Sequence, residues 1–188
     1  PNLNTNIICV KSVVLNAITA KTGEPTYLYQ VLNIIRNRDI RNRFEKTVLY
    51  NKPDLVNVSW EFFQGKEISG IVAGGNIRCF LKLAGTQYFP DLENRVLFLE
   101  GLGTTVESLI THLTQLKQMG AFDKIAGLLL GTFTNLEKTY DKHYIYRIVQ
   151  DFIAKDLPVA KTSEVGHDIN SKILTIGGKI NIKNFQSS

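Results

Sequence analysis

The 188-residue sequence predicts an α/β fold built on a mixed sheet with flanking helices. Three observations favour this class. Short β-branched runs alternate with amphipathic stretches after residue 54, residues 68–103 follow a strand, turn, helix, strand order, and two apolar runs close the chain around Gly177-Gly178. Alternating strands and helices favour a sheet with helices packed on it, and a closing hairpin adds an antiparallel pair.

The chain before Pro53 has a less regular pattern than the chain after it. Residues 6–10 form a short apolar run and residues 13–20 have the spacing of a helix, whereas residues 24–53 are interpreted as a connector with some helix. The change of pattern at Pro53 favours a boundary there. We therefore predict two segments, residues 1–53 and residues 54–188.

After the boundary, each element has its own pattern. Strands are predicted where apolar, β-branched runs lie between turn residues, over residues 55–60, 68–73, 96–99, 125–133, 158–160, 173–176 and 179–182. Helices are predicted where apolar residues recur every three or four positions, starting after Gly74-Gly75-Asn76, after Thr104 or Thr105, and at residue 145. We interpret Gly74-Gly75-Asn76 as a turn that leads into the first helix, which the spacing continues to Ala84.

Composition excludes several classes of protein. Hydrophobic residues at 44% and charged residues at 21% are typical of globular domains. The longest apolar runs, such as residues 127–133, are too short to span a bilayer, and no secretory signal segment opens the chain. Cys9 and Cys79 have no zinc-type spacing, so we expect buried thiols in a reducing, cytoplasmic compartment.

A basic cluster stands out in the net charge of +5. Its members are Arg36, Arg38, Arg41, Arg43 and Lys46. Such a cluster can bind phosphate groups, but a solvated helix face or a connector fits better, because no stacking aromatic residues or nucleic-acid motif accompany it. Nucleic-acid binding is therefore the weaker alternative, and salt-dependent affinity would be its sign.

His167 and Glu100 are the candidates for acid–base chemistry. His167 follows Gly166 in a polar loop, and imidazole is the side chain best suited to proton transfer near neutral pH. Glu100 follows a predicted buried strand, where open sheets place ligand-binding and catalytic groups, so it could orient the imidazole. The other histidines, His112 and His143, are expected to be structural or solvated.

Ser12 is the candidate nucleophile. It lies between a short apolar run and a predicted helix, and the chain order Ser, Glu, His is one that hydrolases use. However, Val10, Lys11 and Val13 stand where a tight nucleophile turn would need glycine. A helix cap at Ser12 is at least as compatible with the pattern.

Several ordered motifs carry a family resemblance. They are Gly74-Gly75-Asn76, Gly85-Thr86, Tyr88 to Asp91, Val96 to Glu100, Phe122 to Ile125, Gly127 to Phe133 and Gly166-His167. Together they resemble the LD-carboxypeptidases, a serine peptidase family that includes muramoyltetrapeptide carboxypeptidases and microcin-C immunity proteins. The resemblance covers about residues 55–185, the family's C-terminal domain. Residues 17–23 also look like the helix after the family's nucleophile, so residues 1–53 resemble a remnant of its N-terminal domain.

The resemblance implies a triad. Glu100 matches the family's acid, His167 its base, and Ser12 takes the place of its nucleophile. It also implies substrate binding by Gly74-Gly75-Asn76, no metal or organic cofactor, a small murein peptide as partner, and a homodimer. The sequence departs from the family around Ser12, at Gly101 where aspartate is usual, and in lacking both proline after His167 and the upstream glycine-rich segment that helps form the oxyanion hole.

By this likeness, the expected activity is release of the terminal D-amino acid from murein tetrapeptides, as in peptidoglycan recycling. The departures around Ser12 lead us to expect a truncated or degenerate member with little or no activity alone. The alternative is a non-catalytic binding or structural domain, either a remnant or one part of a split enzyme. An upstream reading frame with a glycine-rich nucleophile turn would favour the enzyme.

Overall fold

The computed structural model describes residues 57–167, 171–172 and 174–184. The predictions for residues 1–53 lie outside the described residues. They include Ser12, Cys9, the helix at 13–20 and the basic cluster.

Within the described residues, six strands form one sheet in the order β1-β5-β4-β3-β2-β6. They are β1 (Glu61–Gln64), β2 (Glu67–Asn76), β3 (Arg95–Gly101), β4 (Gly127–Phe133), β5 (Val159–Lys161) and β6 (Lys179–Lys183). The four central strands run parallel, whereas β1 and β6 pair antiparallel with β5 and β2. This arrangement confirms the predicted mixed sheet.

Helices pack on one face of the sheet. They are α1 (Ile77–Leu81), α2 (Val106–Gln118), α3 (Ala121–Lys124) and α4 (Lys142–Gln150), with a 3-10 turn at Leu136–Lys138. The predicted stop of α2 is confirmed, since Gly120 adopts φ 66° just after the helix. α4 starts earlier than predicted because Asp141 caps it, accepting a hydrogen bond from the backbone N–H of Tyr144. No helix among the described residues is long and apolar enough to cross a membrane.

The sheet separates two layers of apolar side chains. In β3, Leu97 and Leu99 belong to the core shared with the helices, whereas Val96 and Phe98 belong to a second core on the opposite face. All four side chains are fully buried. The segment after β5 covers the second face, with Val165 in its core. Because β3 is buried on both faces, its sequence is an uninterrupted apolar run.

β2 extends further than predicted, because Gly74 and Gly75 continue the strand instead of forming a turn. A Cβ added at Gly74 would lie 2.0 Å from the carbonyl oxygen of Phe98 in the neighbouring strand. Glycine is therefore required for β2 and β3 to pair this closely. The glycine signal marks a close approach of two backbones, which local sequence alone does not distinguish from a turn.

Asn76 ends β2 and caps α1, accepting a hydrogen bond from the backbone N–H of Cys79 at 3.2 Å. The spacing predicted a helix that continues to Ala84, but the helix ends at Leu81. The prediction of a buried thiol is wrong for Cys79, which is exposed. The buried face of this short helix is formed by Ile77, Phe80 and Leu81, and the thiol lies outside it.

Both edges of the sheet differ from the prediction. Residues 57–60 carry no strand, and β1 begins at Glu61, where it pairs with Lys161 of β5. The closing hairpin is also wrong. Residues 174–176 carry no strand, and β6 instead pairs antiparallel with β2, starting from Lys179 opposite Ile71. In both cases a partner far along the chain determines which residues form the strand.

Thr105 caps α2 as predicted, in a capping box with Ser108. Its hydroxyl accepts a hydrogen bond from the backbone N–H of Ser108 at 3.2 Å, and the Ser108 hydroxyl accepts one from the backbone N–H of Thr105 at 2.8 Å. Thr105→Ala is expected to lower the free energy of unfolding by about 1 kcal/mol, measured by urea denaturation. Thr111→Ala, on an exposed position of the same helix, is the control and should change it by less than about 0.5 kcal/mol. Equal effects of the two substitutions would contradict the capping role.

Candidate functional site

Glu100 and His167 form a hydrogen-bonded pair at the carboxyl end of the parallel strands. His167 Nδ1 lies 2.6 Å from Glu100 Oε2. The Glu100 side chain is fully buried, whereas 17% of the His167 side chain is exposed. Its position before two glycines predicted that Glu100 would follow the strand in a turn. The structure instead places Glu100 within β3. The structure thus brings together the two residues singled out as acid and base.

The sheet explains the position of Glu100. β2 and β3 are parallel and in register, so Asn76 at the end of β2 lies opposite Glu100. Parallel strands end at the same edge of a sheet, and in open α/β sheets ligands bind beyond that edge. Glu100 points to the face opposite the helices, because it alternates with Leu99, whose side chain lies in the helix-covered core.

The segment after β5 brings His167 to Glu100. The backbone N–H of Thr132, in β4, donates to the carbonyl oxygen of Val165 at 2.9 Å. A Cβ added at Gly166 would lie 1.7 Å from Thr132 Oγ1, so no larger residue fits between Val165 and His167. The end of β4 therefore supports the residues just before His167.

A β-bulge lies beside Glu100. Leu99 pairs with Leu130 and Gly101 pairs with Phe133, which leaves two residues of β4 opposite Glu100 alone. These two residues are Gly131 and Thr132. Bulges re-aim side chains and are frequent next to active sites. This bulge turns Thr132 towards Gly166 and so shapes the support for His167.

The pair has the chemistry of a general base. A carboxylate next to Nδ1 favours the imidazole tautomer with its proton on Nδ1, so Nε2 is the nitrogen that can accept a proton. The carboxylate also stabilises the imidazolium that forms afterwards. Among the described residues, no group of three or more histidine, cysteine, aspartate or glutamate side chains is arranged to hold a metal ion.

The other predicted site residues have structural functions that the structure explains. Gly74 allows close pairing of β2 with β3, and the Asn76 side chain caps α1. Both lie near Glu100, at the same edge of the sheet. Their part in substrate binding, together with that of Gly75, stays a prediction. Ser12 lies outside the described residues.

His112 and His143 are separate from the pair. His143 is exposed and packs edge-on against Phe63, with ring centroids 5.1 Å apart. His112 is half-buried in α2, and its Nδ1 is buried without a hydrogen-bond partner among the described residues. Burial lowers the pKa of His112 below its ordinary value of 6.5, and the nearby Arg78 lowers it further.

The lowered pKa of His112 predicts a loss of stability in mild acid. As the pH falls below about 6.5, the unfolded chain binds a proton at this histidine before the folded chain does, so the free energy of unfolding decreases until the folded-state pKa is passed. His112→Asn should lose less stability than the unsubstituted chain between pH 7 and pH 5, measured by urea denaturation. His143→Asn is the control and should follow the unsubstituted chain. Parallel curves for all three proteins would contradict this prediction.

Sequence reasoning missed a buried lysine. Lys161 ends β5 with 4% of its side chain exposed, and its Nζ donates to Glu137 Oε1 at 2.5 Å and to the carbonyl oxygen of Gly131 at 2.8 Å. Burial lowers the pKa of Lys161, although Glu137 opposes this effect. Lys161 and Glu137 line a cleft of about 480 Å³, which is also lined by Trp60 and Tyr140. The available signal was a charge directly after the apolar run at the start of β5.

Comparisons with known proteins identify relatives of this chain. A family model described as the LD-carboxypeptidase C-terminal domain matches residues 69–182, more than half of the chain. A Treponema pallidum (strain Nichols) protein provisionally named a carboxypeptidase is 27% identical over an alignment of 209 positions, gaps included, that covers 95% of this chain and 62% of that protein. The microcin C7 self-immunity protein MccF of Escherichia coli is 24% identical over 64% of this chain and 36% of its own length.

Solved structures have the same fold. An MccF-like protein from Bacillus anthracis matches with a TM-score of 0.60 at 23% identity, covering 68% of this chain and 40% of its own. An MccF-like protein from Streptococcus pneumoniae, solved in complex with AMP, has a TM-score of 0.56 at 24% identity, with coverage of 68% and 42%. These matches confirm the predicted fold. This chain spans less than two thirds of the length of each of these four relatives.

Proposed function

Because this chain belongs to the LD-carboxypeptidase family, through that family's C-terminal domain, we propose that it hydrolyses the bond to the terminal D-amino acid of a murein tetrapeptide. The observation that carries the proposal is the 2.6 Å contact between His167 Nδ1 and Glu100 Oε2. A buried carboxylate bonded to a partly exposed imidazole is the acid–base part of a serine hydrolase site. The proposal includes a cytoplasmic location, as the resemblance implies.

The proposed mechanism assigns a role to each of the three residues. Ser12 Oγ attacks the carbonyl carbon before the terminal D-residue while His167 Nε2 takes its proton. His167 returns that proton to the leaving amine, which releases the D-amino acid and leaves an ester on Ser12. Water, deprotonated by His167, then hydrolyses the ester. Throughout, Glu100 holds the imidazole in the Nδ1–H tautomer and stabilises its charged form.

We propose that residues 1–53 supply the nucleophile and residues 54–188 the acid and base. The family match starts at residue 69, which supports the second segment. We expect the rate to be low, because Val10, Lys11 and Val13 replace the residues of a tight nucleophile turn. One missing oxyanion donor costs about 100-fold or more in rate.

The test of the proposed function is a hydrolysis assay on the 188-residue chain. A murein tetrapeptide ending in D-alanine is incubated with the chain, and D-alanine is measured with a coupled oxidase. The matched control is the same peptide ending in L-alanine, with released alanine measured by chromatography. Slow release of D-alanine and none of L-alanine is expected.

A second substrate in the same assay separates two kinds of relative. MccF has been solved in complex with aspartyl sulfamoyl adenosine. Cleavage of that compound, without D-alanine release from the tetrapeptide, would move the proposal from murein peptides to aminoacyl-nucleotide compounds. No turnover of either substrate would favour the alternative, a non-catalytic domain or one part of a split enzyme.

Fluorophosphonate labelling tests Ser12 directly. We expect slow covalent labelling of the chain that is lost in Ser12→Ala, because only a serine with an adjacent base reacts with this probe. Ser69→Ala, at an exposed serine of β2, should leave labelling unchanged. The labelled residue is then located by peptide mass spectrometry. Labelling that persists in Ser12→Ala would place the nucleophile elsewhere.

A further inference from the structure

Two buried polar atoms at the Glu100–His167 pair have no hydrogen-bond partner within the part of the chain that the structure describes. Among the described residues, neither Glu100 Oε1 nor Thr132 Oγ1 has a hydrogen-bond partner. Glu100 is fully buried and Thr132 is 1% exposed. A buried carboxylate oxygen with no donor is costly, because in water it would accept hydrogen bonds. Native structures rarely leave such an atom unpaired.

The two atoms belong to the same part of the structure. Thr132 is one of two β4 residues opposite Glu100 at the bulge, and the other, Gly131, has no side chain to contribute. Both side chains reach the end of the segment after β5, Glu100 through its bond to His167 and Thr132 through its contact with Gly166. One of the unpaired groups is an acceptor, and the other is a hydroxyl that can donate.

We propose that Thr132 is a positioning residue of the Glu100–His167 pair, and that its hydroxyl donates to Glu100 Oε1 through one buried water. A hydroxyl rotates about its C–O bond, so the donor direction is adjustable without moving the backbone. With Oε1 held by Thr132 and Oε2 by His167, the carboxylate is fixed at both oxygens. The imidazole is then held at a single orientation relative to the substrate.

The direction in which Thr132→Val changes stability distinguishes this proposal from a Thr132 hydroxyl that makes no hydrogen bond. If the Thr132 hydroxyl had no partner, Thr132→Val would remove a buried unpaired group and leave stability unchanged or higher. If the hydroxyl donates to Glu100, the same substitution leaves a buried carboxylate oxygen without a donor. We therefore expect Thr132→Val to lower the melting temperature, and Thr132→Ser, which keeps the hydroxyl, to retain most of it.

Crowding at Gly166 could also lower the melting temperature of Thr132→Val, so a double-mutant cycle with Glu100→Gln is the decisive measurement. A steric cost is the same in both backgrounds and cancels in the cycle. We expect the effect of Thr132→Val on the unfolding equilibrium constant to be at least about fivefold larger when residue 100 is Glu than when it is Gln. The reason is that hydrogen bonds to charged groups are stronger than those to neutral ones. Thr134→Val is the matched control and should show no coupling, since its buried hydroxyl lies outside the bulge and also has no partner among the described residues. An additive Thr132 cycle would overturn the proposal.

The stability cycle does not depend on catalysis. The catalytic consequence rests on the proposed function, and it is measured separately as a lower kcat for Thr132→Val, with KM unchanged and kcat restored by Thr132→Ser. If the chain releases no D-alanine, the proposed function fails while the cycle still decides whether Thr132 positions Glu100. If the chain is active and Thr132→Val keeps the full kcat, the positioning role is wrong.

Discussion

His167→Ala is expected to lower D-alanine release by about 1,000-fold or more relative to the unsubstituted chain. The reason is that the substitution removes the only proposed group able to take the proton of Ser12 and give it to the leaving amine. The comparison is made with the hydrolysis assay at saturating tetrapeptide. His143→Ala is the matched control, since that histidine is exposed and packs against Phe63, away from Glu100. It should retain the activity of the unsubstituted chain.

His167→Ala is also expected to destabilise the fold by roughly 3 kcal/mol, because it leaves a fully buried carboxylate without its hydrogen-bond partner. Adding Glu100→Gln to His167→Ala removes that charge, so the double variant should recover part of the lost stability but none of the lost activity. Urea denaturation measures the first effect and the hydrolysis assay the second. A His167→Ala variant with unchanged stability and turnover would exclude the proposed acid–base pair.

Gly74→Ala is expected to lower the free energy of unfolding by roughly 3 kcal/mol or more, or to prevent folding. Its methyl group would lie 2.0 Å from the carbonyl oxygen of Phe98, and φ at this position is 119°, which alanine rarely adopts. Because the obstacle is backbone in a central strand, it has no rotamer that could move aside.

The control for this steric effect is Gly103→Ala. Among the described residues, a Cβ at Gly103 meets nothing within 4 Å. This variant should unfold within about 0.5 kcal/mol of the unsubstituted chain, measured by denaturant titration with circular dichroism. If Gly74→Ala also unfolds at the unsubstituted midpoint, β2 and β3 do not pair as closely as the structure shows.

The parts of the fold that sequence could predict are those determined by neighbouring residues. β3 and β4 are buried on both faces, so their apolar runs are continuous, and α2 carries its cap at Thr105 and its stop at Gly120 within the local sequence. The parts that sequence missed depend on distant partners. β1 begins at Glu61 because β5 pairs with it there, and no local pattern contains that information.

The candidate site shows the same division. Glu100 and His167 could each be predicted from their positions at a strand end and in a glycine-bearing loop. Their contact joins residues 67 positions apart, so the distance and the full burial of Glu100 needed the structure. The buried Lys161 and the bulge at Thr132 were missed because both depend on how β4 aligns with its neighbours.

The order of strands also determines when this site can form during synthesis. β1 pairs with β5 and β2 pairs with β6 across roughly 100 residues of chain, and such non-local pairings make folding slow. During translation, β2 leaves the ribosome long before β6. The backbone groups of β2 that pair with β6 therefore stay unpaired until residues 179–183 have been made. Glu100 likewise precedes His167 by 67 positions. A nascent chain therefore carries Glu100, whose carboxylate is buried in the folded structure, without its histidine partner until residue 167 has been made.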